Sequence, residues 1–222
     1  GGGGNPNLNI SGTSADDYIT LGADTETVNG NGGNDTFVVL SGKIKISDLN
    51  TGDIFILSSG TEITTEPLSS YTSTDTTSSL GTANLIAAST GSTIDLSLSS
   101  SGGFNLIGGA GSDNFKGSSG KDTFTIINSG EGNLDILDGG AGSDTLQLSA
   151  GSHVFASDAN FKNIETVLAN TAGSSVNLSA QTEGFTITGG AGTDIIIGGD
   201  GVDIITGGGG DDIITGGAGS DT

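Results

Sequence analysis

Large apolar residues recur in this chain every nine positions. Counted in nines from Gly3, the eighth position is Ile10, Ile19, Val28 and Phe37. In the middle of the chain it is Phe115, Phe124, Leu137 and Leu146, and near the end Ile196, Ile205 and Ile214. The last run, Gly189 to Thr222, keeps the pattern strictly: GGAGTDIII, GGDGVDIIT, GGGGDDIIT and GGAGSDT, with glycine at positions one, two and four and aspartate at six. Six residues of turn, where glycine lets the backbone take φ > 0, alternate with three residues of β-favouring strand. One nonapeptide is half a coil and two complete it. Residues 18 apart then stack at about the 4.8 Å spacing of hydrogen-bonded strands.

Between these runs the pattern loosens. From Val39 to about Leu80 the register of nine fails. KIKISDLNTGDIFIL alternates polar and apolar residues at Ile44, Ile46, Ile54 and Ile56, which predicts two half-buried strands joined by an Asn-Thr-Gly-Asp turn. The following Ser/Thr-rich stretch, with Pro67, reads as a surface loop or insertion. A second module spans residues 81–147, with its glycine run at 108–147 interrupted by the excursion IINS. A third spans 148–222, with its run at 189–222. The first, 1–80, holds worn coils at 3–38 followed by the strand pair and loop at 39–80. This larger repeat predicts an all-β, right-handed parallel β-solenoid in which plainer β coils alternate with glycine-run coils, each resting on its neighbours.

Charge supplies the chemistry. Twenty-six acidic residues face five basic ones, all lysine, for a formal charge of −21, and 42 residues are glycine. Such a surface excludes nucleic acid and anionic membranes as partners and fits a chain that needs cations to fold. Without cysteine there is no disulfide and no thiol chemistry. No initiator Met, signal peptide or membrane-length apolar run is visible, and the chain reads as a piece of a longer polypeptide that continues past the last run.

The sixth-position acids carry the metal reading. In the stacked coils Asp17 lies over Asp35, Asp194 over Asp212 and Asp203 over Asp221; allowing for the excursion, Asp113 lies over Asp135 and Asp122 over Asp144. Stacked carboxylates repel unless a cation lies between them, and an all-oxygen site suits calcium. The alternative is that aspartate favours Gly-rich turns through local hydrogen bonds. The repeats resemble the RTX nonapeptide family, GGxGxDxUx with U a large apolar residue. That resemblance implies a calcium-loaded parallel β-roll, several bound calcium ions, and further ligands from backbone carbonyls of the same loops, here at Gly108, Ala110, Gly189, Ala191, Gly198, Asp200, Gly207 and Gly209. Folding is then coupled to metal binding.

The family is associated with secreted bacterial toxins, proteases, lipases, adhesins and surface-layer proteins. An enzyme is not expected within these residues. His153 stands alone in GSHVFAS and reads as a solvated loop histidine; GSSGKD around Lys121 lacks the spacing of a phosphate-binding loop; no GxSxG or HExxH occurs. The expectation is a non-enzymatic, calcium-stabilised extracellular structural segment at the bacterial cell surface, a surface-layer subunit or an RTX adhesin. Its expected partners are calcium, further copies of itself in a lattice or filament, and a cell-surface polysaccharide. The alternative is the calcium-dependent secretion and folding module of an RTX toxin or secreted hydrolase. Position seven of the last run is also isoleucine, at Ile195, Ile204 and Ile213; these face outward, and reflect either β-propensity alone or a ladder packed against a partner element.

Overall fold

The protein is described here from a computed structural model covering residues 8–22, 26–128, 134–169 and 172–222. The start of the nine-residue count at Gly3 and residues 129–133, which begin with the last residue of the excursion, lie outside these. The chain winds as an all-β parallel solenoid of about ten turns. One wall is a single sheet of eleven parallel strands, one per turn. It comprises Leu8–Ser11, Glu26–Asn29, Lys43–Ile46, Glu62–Thr65, Thr82–Ile86, Phe104–Gly108, Thr123–Ile126, Thr145–Leu148, Thr166–Leu168, Thr186–Thr188 and Ile204–Thr206.

The facing strands fall into three successive sheets. The first joins Tyr18–Leu21, Thr36–Val39, Ile54–Leu57 and Ser78–Ser79. The second joins Ser70–Thr72, Thr93–Asp95, Asn114–Lys116, Ile136–Asp138 and Phe161–Lys162, and the third Gly151–Val154, Ser174–Asn177, Ile195–Ile197 and Ile213–Thr215. Each handover takes place inside one long coil that carries two of these short strands: residues 66–81 for the first, residues 149–165 for the second. A coil with an extra side encloses a wider cross-section, and aromatic rings fill it. Phe55 stacks on Tyr71 at 6.0 Å and meets Phe104 edge-on at 5.9 Å; Phe161 lies 4.6 Å from Phe155 and 5.7 Å from Phe185.

Alternation within each strand sends every second side chain inward. In the long wall Leu85, Leu106, Phe124, Leu146, Val167, Ile187 and Ile205 stack in register. Opposite them run Ile19, Phe37 and Phe55, then Tyr71, Ile94, Phe115, Leu137 and Phe161. The eighth-position rows are therefore the core, split between two walls, except at the outermost coil, where Ile214 is exposed.

Four expectations are corrected. The register of nine does not fail at Val39: Phe55 stacks on Phe37, and Lys43–Ile46 and Ile54–Leu57 lie in opposite walls, not in one hairpin. The Ser/Thr-rich stretch is no surface loop. Thr61, Thr65, Ser73, Thr77 and Ser79 are buried, and all of these hydroxyls but that of Ser73 serve backbone groups, as where Thr61 Oγ1 donates to Ser58 O at 2.7 Å and Thr77 Oγ1 accepts the Thr74 N–H at 3.2 Å. His153 is not solvated but fully buried, inward over Val176, with Nε2 donating to Ser149 O at 2.9 Å. A histidine can occupy an apolar row when the polar edge of its ring finds a carbonyl. The position-seven isoleucines are exposed, but they are not one ladder: Ile195 stacks on Ile213 in one wall and Ile204 projects from the other.

Candidate metal centre

The glycine positions of the last run have separate local causes. Gly208 and Gly217, at position two, have φ of 99° and 111°; Gly210 and Gly219, at position four, have 110° and 113°. L side chains rarely adopt that region. The position-two carbonyl also accepts from the next coil, Gly209 N–H to Gly190 O at 2.9 Å and Ala218 N–H to Gly199 O at 3.0 Å. At position one the reason is space. A Cβ on Gly189 would meet the Gly207 carbonyl oxygen and lie 2.8 Å from Asp194 Oδ2, and one on Gly198 would meet the Gly216 carbonyl and Asp203 Oδ2. The missing methyl leaves a cradle between a carboxylate oxygen and a carbonyl oxygen from the neighbouring coil.

Each aspartate holds two coils. Asp194 Oδ2 accepts the Gly190 N–H of its own turn at 2.8 Å, and Oδ1 accepts Ser174 N–H of the preceding coil at 2.6 Å. Asp203 repeats this with Gly199 at 2.9 Å and Phe185 at 2.7 Å. All five expected pairs are brought together through the same contact, the N–H of one aspartate donating to Oδ1 of the next. The distances are 2.9 Å for Asp17 to Asp35, 2.9 Å for Asp113 to Asp135 and 2.7 Å for Asp122 to Asp144. They are 3.0 Å for Asp194 to Asp212 and 3.1 Å for Asp203 to Asp221. The turn-stabilising role of aspartate and its place in an oxygen-lined stack are thus the same arrangement.

Of the expected carbonyl ligands, Gly108, Gly189 and Gly198 are buried next to carboxylates, and Gly207 presents its oxygen to the Asp194 cradle. Ala110, Ala191, Asp200 and Gly209, at position three, occupy the exposed tips of the turns. Asp212 is half-buried and Asp221 exposed at the outermost coil.

Burial makes these carboxylates costly as bare anions. Desolvation, ahead of neighbouring charges, pushes Asp35, Asp53 and Asp122 above the usual carboxylate range and Asp144 up to about 7. Among the described residues, the ion pairs join Lys43 to Glu62, Lys45 to Glu66 and Lys162 to Asp138, so lysine neutralises other acids than the stacked ones. No cluster of three or more His, Cys, Asp or Glu occurs among the described residues. Two carboxylates and several carbonyls make an all-oxygen donor set that fits calcium and offers nothing to softer metals.

Two acids in these stacks were not anticipated. Asp53 is buried, accepts Asp35 N–H at 2.8 Å and Asn50 N–H at 2.8 Å, and so extends the first ladder by one coil. Its signal was present, since continuing the count of nine puts Asp53 sixth and Phe55 eighth in residues 48–56. Tyr71, one step further on, closes the stack by donating its hydroxyl to Asp53 O at 3.1 Å. Glu165 accepts Asp144 N–H at 2.7 Å from a turn with no glycine pattern, and no sequence period marks it.

A parallel solenoid whose turns stack aspartate on aspartate belongs to the calcium β-roll class. Four copies of the RTX calcium-binding nonapeptide repeat match the chain, at residues 9–37, 105–125, 129–152 and 188–222. The chain is a member of the RTX repeat family, and its repeats bind calcium. No curated protein and no solved structure gives a significant match.

Proposed function

We propose that this chain is a segment of a non-enzymatic extracellular structural protein, a surface-layer subunit or RTX adhesin, that folds and then self-assembles on binding calcium. RTX repeat proteins are typically secreted, and no helix among the described residues is long and apolar enough to cross a membrane. The observation that carries the reading is the stack of buried carboxylates at the coil corners. With a formal charge of −21, the chain resists compaction where calcium is scarce, and calcium at the corners removes that resistance. Assembly is supported by the exposed Ile195 and Ile213 stacked on one wall.

Electron microscopy of the purified chain, first with calcium at about millimolar level, where extracellular sites bind, then with chelator, tests this. Sheets or filaments that dissolve on chelation support it. Monodisperse particles that merely unfold overturn the structural reading and point to a folding module for an activity encoded elsewhere. Ile195→Thr with Ile213→Thr should reduce assembly while leaving calcium-dependent folding intact; undiminished assembly removes these isoleucines from the contact.

A further inference from the structure

The end of the second glycine run reproduces the cradle of the RTX turns with residues from outside the repeat. At Gly12, Gly117, Gly189 and Gly198 the space where a Cβ would sit is shared by the Oδ2 of the aspartate five residues on and the carbonyl of the glycine one coil further, Gly30, Gly139, Gly207 and Gly216 respectively. At Gly139 the same space lies 2.7 Å from Asp144 Oδ2 and against the carbonyl oxygen of Asn163. Asn163 stands where the repeat would have its first glycine. It adopts φ of 55°, a left-handed conformation that asparagine tolerates better than most residues. Glu165, two residues on, stands in for the aspartate of that coil, accepting the Asp144 N–H. The family match ends at residue 152, before either of them.

The second observation is an orphaned oxygen. At Asp17, Asp113, Asp122, Asp194 and Asp203 the Oδ2 accepts the N–H four residues back. At Asp144 that N–H, from Gly140, donates instead to Asp138 Oδ1 at 3.2 Å, which also receives Asn163 Nδ2 at 2.7 Å. Asp144 is 1% exposed, and its Oδ2 is buried with no hydrogen-bond partner. A buried carboxylate oxygen without a donor is costly, and here it faces a second oxygen.

We propose that Asp144 Oδ2, the Asn163 carbonyl and the Glu165 carboxylate bind a further calcium ion at the junction of the second glycine run with the coil that follows. Asn163 and Glu165 are exposed, so the ion enters from the solvent side. The site would extend metal loading one coil past the repeat and tie the glycine run to the second handover coil. It rests on the reading of the RTX turns as calcium sites.

Calcium equilibrium dialysis on the full chain counts the ions. Glu165→Gln keeps an acceptor for the Asp144 N–H but removes the charge; Gly139→Ala fills the cradle and leaves both carboxylates. Each should lose one ion relative to the parent, as should Asp203→Asn in the last run. Unchanged stoichiometry and affinity in Glu165→Gln, with the loss seen in Asp203→Asn, overturns this site and leaves the repeats standing. A parent that binds no calcium overturns both. Should either variant misfold by circular dichroism, the carboxyl 13C resonance of Glu165 in the parent decides: a shift on calcium addition supports the site, and an unmoved resonance refutes it.

Discussion

Replacing Asp194 by alanine removes a carboxylate that is 0% exposed and accepts two backbone N–H groups, from Ser174 at 2.6 Å and Gly190 at 2.8 Å. Hydrogen bonds to a charged partner contribute about 1.5–3 kcal/mol each, so their joint loss costs about 3–6 kcal/mol. That is a large part of the 5–15 kcal/mol that usually separates folded from unfolded chains. The calcium site shared with Asp212 is lost as well. By mass action each saturated site adds about 1.4 kcal/mol per tenfold rise in calcium, so stability plotted against the logarithm of calcium should lose one such increment of slope. Urea unfolding followed by far-UV circular dichroism at two calcium concentrations reads both quantities, the chain having no tryptophan for fluorescence. Asp200→Ala, whose side chain is exposed at the tip of a turn, should stay within about 0.5 kcal/mol. A loss below about 1 kcal/mol would refute the hydrogen-bonding argument, and an unchanged slope would refute calcium ligation by Asp194.

Two further outcomes follow from the same geometry. Gly198→Ala puts a methyl against the Gly216 carbonyl and Asp203 Oδ2, and should cost about 1–3 kcal/mol from overpacking together with one bound calcium. Gly22→Ala, where a Cβ meets nothing within 4 Å, should be neutral; equal effects in thermal melts would remove the cradle. In the chelated chain, Asp144 has its folded-state value raised from 3.8 to about 7, so its protonated form favours the fold. That contribution is complete below the unfolded value and is lost as pH rises through about 7. Asp35, Asp53 and Asp122 act in the same direction. Chelated protein should therefore resist proteolysis better at pH 5 than at pH 8, and equal digestion contradicts this.

What the sequence determined by itself is the strictly periodic part. Glycine at positions one, two and four, aspartate at six and a large apolar residue at eight each answer a contact inside one turn or with the coil 18 residues away, so local chemistry and period together specify stack, wall and core. The same logic reached Asp113 over Asp135 and Asp122 over Asp144 across 22 residues, because the strands on either side keep their register. Tertiary structure decided what has no period. Ser and Thr carry no apolar signal, yet the coil of residues 66–81 buries Thr77 and Ser79, whose hydroxyls meet the Thr74 N–H and the Gly81 carbonyl at its corners. His153 entered the core because Ser149 offers a carbonyl to its ring. The handovers between sheets, with Phe55, Tyr71 and Phe104 at one and Phe155, Phe161 and Phe185 at the other, arise from coil cross-section, which depends on how neighbouring coils fit. Asn163 and Glu165 reach Asp144 for the same reason: the turn that carries them is placed by the coil beneath it, and nothing in its own residues announces an oxygen-lined corner.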